Sequence, residues 1–265
     1  MESIGARAAS FHLHAEHTVM IDLTQPEEQL LKNMRRQTRY EVRRSLKQGI
    51  EVTHGNSEAL FREFHRVQAE TAARQHFIPP RLEDLLAYRE AFGAHAQIYV
   101  AQTMGENADE LEPSSVRRPQ RGSARLSAET SVATEVSDAV QARTISTRRQ
   151  SASPIAYGLI LRSGAEADYF EAASTPLNRK LPGAYALQWQ VMRDLKKQGI
   201  ERYNLWGIAP PGQPHHRYAK VTTFKTGFGG EITEYLPAHD LVINPLRYQK
   251  TRLIETIRKK RRHLT

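Results

Sequence analysis

A lysine set in an apolar turn and a helix crowded with arginines are the two places where residue types and spacing in this chain suggest chemistry. The lysine is Lys225, within YNLWGIAPPGQPHHRYAKVTTFKTGFGGEITEY. It follows Phe224 and precedes paired glycines, Gly229 and Gly230, which permit left-handed backbone and close approach. An ammonium held in an apolar wall there would act strongly on a developing oxyanion. On these residues alone, a surface lysine beside a core turn explains the pattern at least as well. The second constellation is Lys32, Arg35, Arg36, Arg39, Arg43, Arg44 and Lys47, opposed only by Glu41. Arg36, Arg39 and Arg43 share a helical face, and guanidinium forks suit phosphate oxygens. A diphosphate or an RNA backbone is the functional reading; a solvated helix face is the plain one.

The composition narrows these choices. The 265 residues carry a net charge of +9, which favours anionic partners such as nucleic acid, phosphorylated small molecules or an acidic membrane face. The absence of cysteine excludes disulfides, thiolate zinc sites and a thiol nucleophile. His215 and His216 are adjacent but have no HExxH spacing and no carboxylate pair nearby, so no metal is expected. No apolar run is long enough for a signal peptide or a spanning helix. The reading is a soluble, cytoplasmic protein with at most peripheral contact at the inner membrane face.

These residues need elements to hold them. Residues 26–49 read as one helix or two short ones, with Pro26, Glu27 and Glu28 suiting a first turn and Gly49 a stop. A short strand follows over 50–53. Leu60, Phe61, Phe64, Val67 and Ala72 recur near helical spacing over 57–75, and 81–92 is a further helix. AQIYVAQT, 155–162 and 167–173 read as strands. A helix over 183–198, ended by Gly199, leads to a strand over 201–206. After a loop rich in Pro and Gly come a short helix at 220–226, a strand at 231–236 and a helix from Pro245. Residues 105–153 stand apart: Ser, Ala, Thr, Arg and Glu dominate, and acidic and basic residues balance. Such a segment cannot bury enough apolar surface to offset its ordering entropy, so it reads as a disordered insertion lengthening a hairpin loop. The domain plan is therefore a flexible tail over 1–17, a domain formed by 18–104 with 154–244, and a basic C-terminal helix over 245–265. The fold class is α/β (α+β) with a mixed sheet.

YNLWGI, FKTGFGGE, a following Tyr strand and DLVINPLRY together resemble the C-terminal signature of the FemABX aminoacyltransferases. DLTQPEEQLLKNMRRQTRYEVRRSLKQGIEV resembles their inter-domain helix, and LPGAYALQWQVMRDLKKQGI also fits. The order of these pieces, from Thr18 to Tyr248 without the insertion, is more specific than any one of them. The resemblance implies a GNAT-like acyltransferase domain, largely the second of two usual in the family. It implies transfer of an amino acid from aminoacyl-tRNA, as co-substrate and without further cofactor, to an amine of a UDP- or lipid-linked muropeptide. Lys225 would stabilise the tetrahedral intermediate and Phe224 would shape the pocket. Arg74 would reach the precursor diphosphate, and Arg39, Arg43, Trp206, Gly207 and Tyr218 complete the substrate-binding set. Most members carry a further N-terminal domain, so a separate half-domain is a conceivable partner. Two alternatives stand beside this: a non-catalytic nucleic-acid or membrane-surface module on a decayed transferase fold, and a generic GNAT N-acyltransferase. Against the latter, Pro182 stands where a pyrophosphate-cradling loop needs a glycine amide.

Overall fold

AQIYVAQT and PIAYGLIL are apolar on both faces, as a strand covered from two sides must be. The computed structural model describes residues 6–9, 16–103, 152–213, 216 and 218–261; the expected insertion over 105–153 lies almost entirely outside them, as does His215. Strands β1 (Ala6–Ala8) and β2 (His17–Asp22) precede helices α1 (Glu27–Asn33) and α2 (Arg36–Lys47). Then come β3 (Ile50–Gly55), α3 (Glu58–Gln75), α4 (Leu82–Phe92), β4 (Ala96–Thr103), β5 (Ser153–Ser163) and β6 (Glu166–Ser174). The chain continues through α5 (Gly183–Lys197), β7 (Arg202–Gly207), α6 (Ala219–Thr226), β8 (Glu231–Glu234), β9 (His239–Leu241) and α7 (Pro245–Arg261).

Seven strands form one mixed sheet in the order β3-β4-β5-β6-β7-β2-β8. Every neighbouring pair in it is antiparallel except β6 with β7. Leu30, Met34, Val42, Leu187, Val191 and Leu195 pack helices α1, α2 and α5 on one face. Phe61, Phe64, Val67 and Leu85 pack α3 and α4 on the other. This is the mixed α/β architecture of a GNAT-like domain.

The local reasons are visible at the ends of α3. Ser57 caps it by accepting the Leu60 amide at 3.2 Å, and His76 stops it in left-handed backbone at φ 59°. The basic segment is two helices, because Met34 and Arg35 are extended between α1 and α2. Part of the segment expected to be a flexible tail is ordered otherwise: Ala6–Ala8 pairs with His239–Leu241. The apolar HTVMID then places Val19 and Ile21, both essentially buried, between β7 and β8.

Candidate active site

Parallel pairing between β6 and β7 stops early. Glu166, Ala167 and Asp168 face Arg202, Tyr203 and Asn204, and pairing goes no further although β6 runs on to Ser174 and β7 to Gly207. Past this point each strand departs from regularity. On β6, Tyr169 faces Ile160 and Glu171 faces Leu159, so Phe170 is an extra residue in a β-bulge. The bulge turns two consecutive side chains to one face. Phe170 packs with the α3/α4 cluster and Glu171 is bonded by α3, whereas Tyr169 and Ala172 belong to the opposite core. On β7, Trp206 adopts φ 61°, an uncommon conformation for a bulky residue. Its ring meets Phe170 edge-on at 5.6 Å, and Phe170 meets Tyr88 of α4 at 4.8 Å.

Lys225 reaches this parting from the last turn of α6. Its Nζ donates to the Gly207 carbonyl at 2.8 Å. Burial brings its pKa down from 10.5 to about 8, with the charge of Glu171 pulling the other way. Burial likewise lifts the Glu171 carboxyl to about 7, opposed by a hydrogen bond from Gln68 and by the charge of Lys225. The two groups feel each other without closing into a direct ion pair. Gln68 is fully buried and donates through Nε2 to Glu171 Oε2 at 2.6 Å, while its own Oε1 has no partner.

The sequence around Lys225 explains why it stays in place. Phe224, Phe228 and Tyr185 of α5 form an aromatic trio with ring centroids 5.1–5.9 Å apart. The turn behind it fits against the α1–α2 junction, where the Arg35 amide donates to the Gly227 carbonyl at 2.8 Å. Gly229 and Gly230, at φ 81° and 98°, are required there: an added Cβ would lie 2.8 Å from the Asn33 carbonyl oxygen and 2.6 Å from that of Met20.

The residues singled out from the sequence fall into three places. Lys225, Trp206 and Gly207 come together at the parting, while Phe224, next to Lys225 in sequence, turns its ring to Tyr185 and Phe228. Tyr218 begins the same helix, and its carbonyl accepts the Thr222 hydroxyl at 2.7 Å. Arg74 lies along the α3–β6 seam, where its guanidinium bonds the Ser174 carbonyl and the Thr71 hydroxyl. Arg39 and Arg43 are on α2. Arg39 is tied to the end of α1, donating to the Leu31 and Lys32 carbonyls at 3.2 and 3.1 Å, and Arg43 is exposed. Glu171 and Gln68 were not singled out. The available signal was a glutamate inside the apolar run DYFEAA.

A developing anion beside Lys225 would meet a partly dehydrated ammonium fixed by a backbone carbonyl, and a proton released nearby would meet a carboxylate of suitable basicity. That is equipment for acyl transfer. The model of the FemAB family matches residues 1–256. The aminoacyltransferase FemA of Staphylococcus epidermidis is 28% identical over 106 residues, 40% of this chain and 25% of that protein. FemA of Staphylococcus aureus is 31% identical over 83 residues, 31% of this chain and 20% of that protein. The matches thus span a quarter or less of these curated relatives. The crystal structure of FemX superposes with a TM-score of 0.68 at 13% identity, over 94% of this chain and 68% of that one, which extends the likeness in fold to nearly the whole chain.

Proposed function

The chain belongs to the FemAB family, and from that premise we propose that it transfers an amino acid from aminoacyl-tRNA to the amine of a peptidoglycan precursor peptide. The observation that carries the reading is the half-buried Lys225 ammonium, held on the Gly207 carbonyl where β6 and β7 part. The acceptor amine attacks the ester carbonyl, and the electron pair displaced onto the carbonyl oxygen is stabilised by Lys225. Collapse expels the ribose hydroxyl and leaves an amide. Phe224 and Trp206 wall the reacting centre, while Arg74, Arg43 and Tyr218 serve the phosphate-bearing substrates and Arg39 braces the end of α1. Amide formation is favourable because an activated ester is consumed, and positioning and preorganised charge supply most of the rate.

Aminoacyl-tRNA places the reaction in the cytoplasm. For a lipid-linked acceptor it also places it at the inner membrane face, which α7 suits: Leu246, Leu253, Ile254 and Ile257 are exposed along it. No helix among the described residues is long and apolar enough to cross a membrane. A coenzyme-A-dependent acetyltransferase on the same fold is disfavoured by the start of α5. There the Ala184 amide is taken by Asn178 Oδ1 at 3.0 Å and the Gly183 amide by the Leu181 carbonyl at 2.9 Å. Amides that would cradle a pyrophosphate are already bonded.

The test is to incubate the purified chain with mixed radiolabelled aminoacyl-tRNAs and with UDP- and lipid-linked muropeptides, wild type beside Lys225→Ala. Label passing to a muropeptide with wild type alone supports the reading. Salt-sensitive tRNA binding without transfer would favour a binding module instead.

A further inference from the structure

We propose that Glu171 is the general base of this site, taking the proton from the attacking amine while Lys225 holds the oxyanion; the inference rests on the transferase reading above. The juxtaposition that carries it is built by three elements. The bulge at Phe170 turns Glu171 to the α3 face. Gln68, wholly buried, fixes Oε2 at 2.6 Å, and the amide that holds it has an unpartnered oxygen of its own. Lys225 approaches from α6 closely enough to interact through charge, yet the two do not neutralise each other in an ion pair. Glu171 on β6 and the Lys225 anchor, the Gly207 carbonyl on β7, lie on the two strands that part here, so a substrate entering the parting meets both.

The charged surroundings of Glu171 are sparse. From α6 comes Lys225. From α3 come Gln68 and, further along, Arg74, which is engaged by Ser174 and Thr71. Its cross-strand neighbour on β5 is Leu159, and β7 offers Trp206 and Gly207. On its own strand the other acids are Asp168 and Glu166, near the end that pairs with β7.

The step balances. The amine lone pair forms the new C–N bond and the carbonyl π pair moves to oxygen. Glu171 removes the proton from the positively charged nitrogen and becomes a carboxylic acid. When the C–O bond to the ribose breaks, that proton passes to the departing oxygen, and Glu171 returns ionised. Amine and ester become amide and alcohol, with no other reactant.

The experiment measures kcat against pH for wild type, Glu171→Gln, Gln68→Leu and Lys225→Ala, with thermal midpoints alongside. Glu171→Gln should lower kcat on the order of a hundredfold and abolish the acidic limb of the profile without lowering the midpoint. Gln68 is a positioning residue: its hydrogen bond favours the ionised carboxylate, so Gln68→Leu should shift the acidic limb to higher pH. Lys225→Ala losing activity while Glu171→Gln keeps both its rate and its acidic limb would overturn this inference and leave the transferase reading standing. So would a Glu171→Gln profile in which only the basic limb moves down, since Glu171 would then merely keep Lys225 charged. A wild type that transfers nothing would overturn both readings.

Discussion

Helix α2 and the parting of β6 from β7 are both places where charge meets the surface of a folded sheet, but they use it in opposite ways. On α2 the charges are many and wet. Arg35, Arg36, Arg43 and Lys47 are exposed, Arg39 is committed to the end of α1, and Arg44 bonds Glu41 and the Lys180 carbonyl. At the parting stand Lys225 and Glu171, both half-buried. A charge in water is screened within about 10 Å at ordinary ionic strength, whereas one withdrawn from water acts several times more strongly on a neighbour. On the proposed reading, the many exposed charges of α2 suit a polyanion and the few half-buried ones at the parting suit the chemical step.

The sharpest way to break this contrast is Lys225→Ala. Turnover should fall about a hundredfold or more, by analogy with the loss of an oxyanion donor, with the fold intact by circular dichroism; a fall of under about threefold would remove Lys225 from the chemistry. Next comes pH. On the proposed mechanism activity needs Glu171 ionised and Lys225 protonated, so the rate should decline below about 7 and above about 8. Each limb should fall about tenfold per pH unit. Stability should show the reverse. Glu171 has a folded pKa raised above its ordinary value, so its contribution is present at low pH and is lost as pH rises through about 7. Lys225 has a depressed folded pKa, so its contribution is present at high pH and is lost as pH falls through about 8. Together they make the window between those values the least favourable for stability, and thermal melts of Glu171→Gln should lack the lower slope.

The effects on α2 should be smaller and different in kind. Arg39→Ala should cost about 1 kcal/mol for two hydrogen bonds from a half-exposed cation. That lowers the thermal midpoint by about 2–4 °C, and a raised KM with an unchanged midpoint would instead assign Arg39 to a ligand. Arg43→Ala should leave the midpoint unchanged and weaken tRNA binding a few-fold, reducing the salt dependence of log K by about 1. An unchanged salt slope would mean that this face does not meet the nucleic acid.

Most elements were legible because their signals are local. Ser57 before an amphipathic run, Gly49 after a basic one and the apolar strands on either side of residues 105–153 each announce themselves within a few residues. Lys225 stood out through the glycines behind it and through the family signature. What was not legible depended on distance and register. Strand β2 is short, and its partners lie near the other end of the sequence. Glu171 gains its character from a bulge that no residue in YFEAAS demands, and from Gln68, 103 residues earlier. Arg39 had the right type and spacing for a ligand, but two carbonyls at the end of α1 already hold it.

The place of β2 has a consequence for how the chain is made. Thr18 and Asn204 are hydrogen-bonded in the finished sheet but are separated by 186 positions. At roughly 5–20 residues per second, β2 is synthesised about ten to forty seconds before β7 exists to receive it. In that interval Val19, Ile21 and Leu23, wholly buried at the end, have no native strand beside them. Strand β2 therefore waits for β7 and β8, and its apolar side chains stay without native partners until those strands are made.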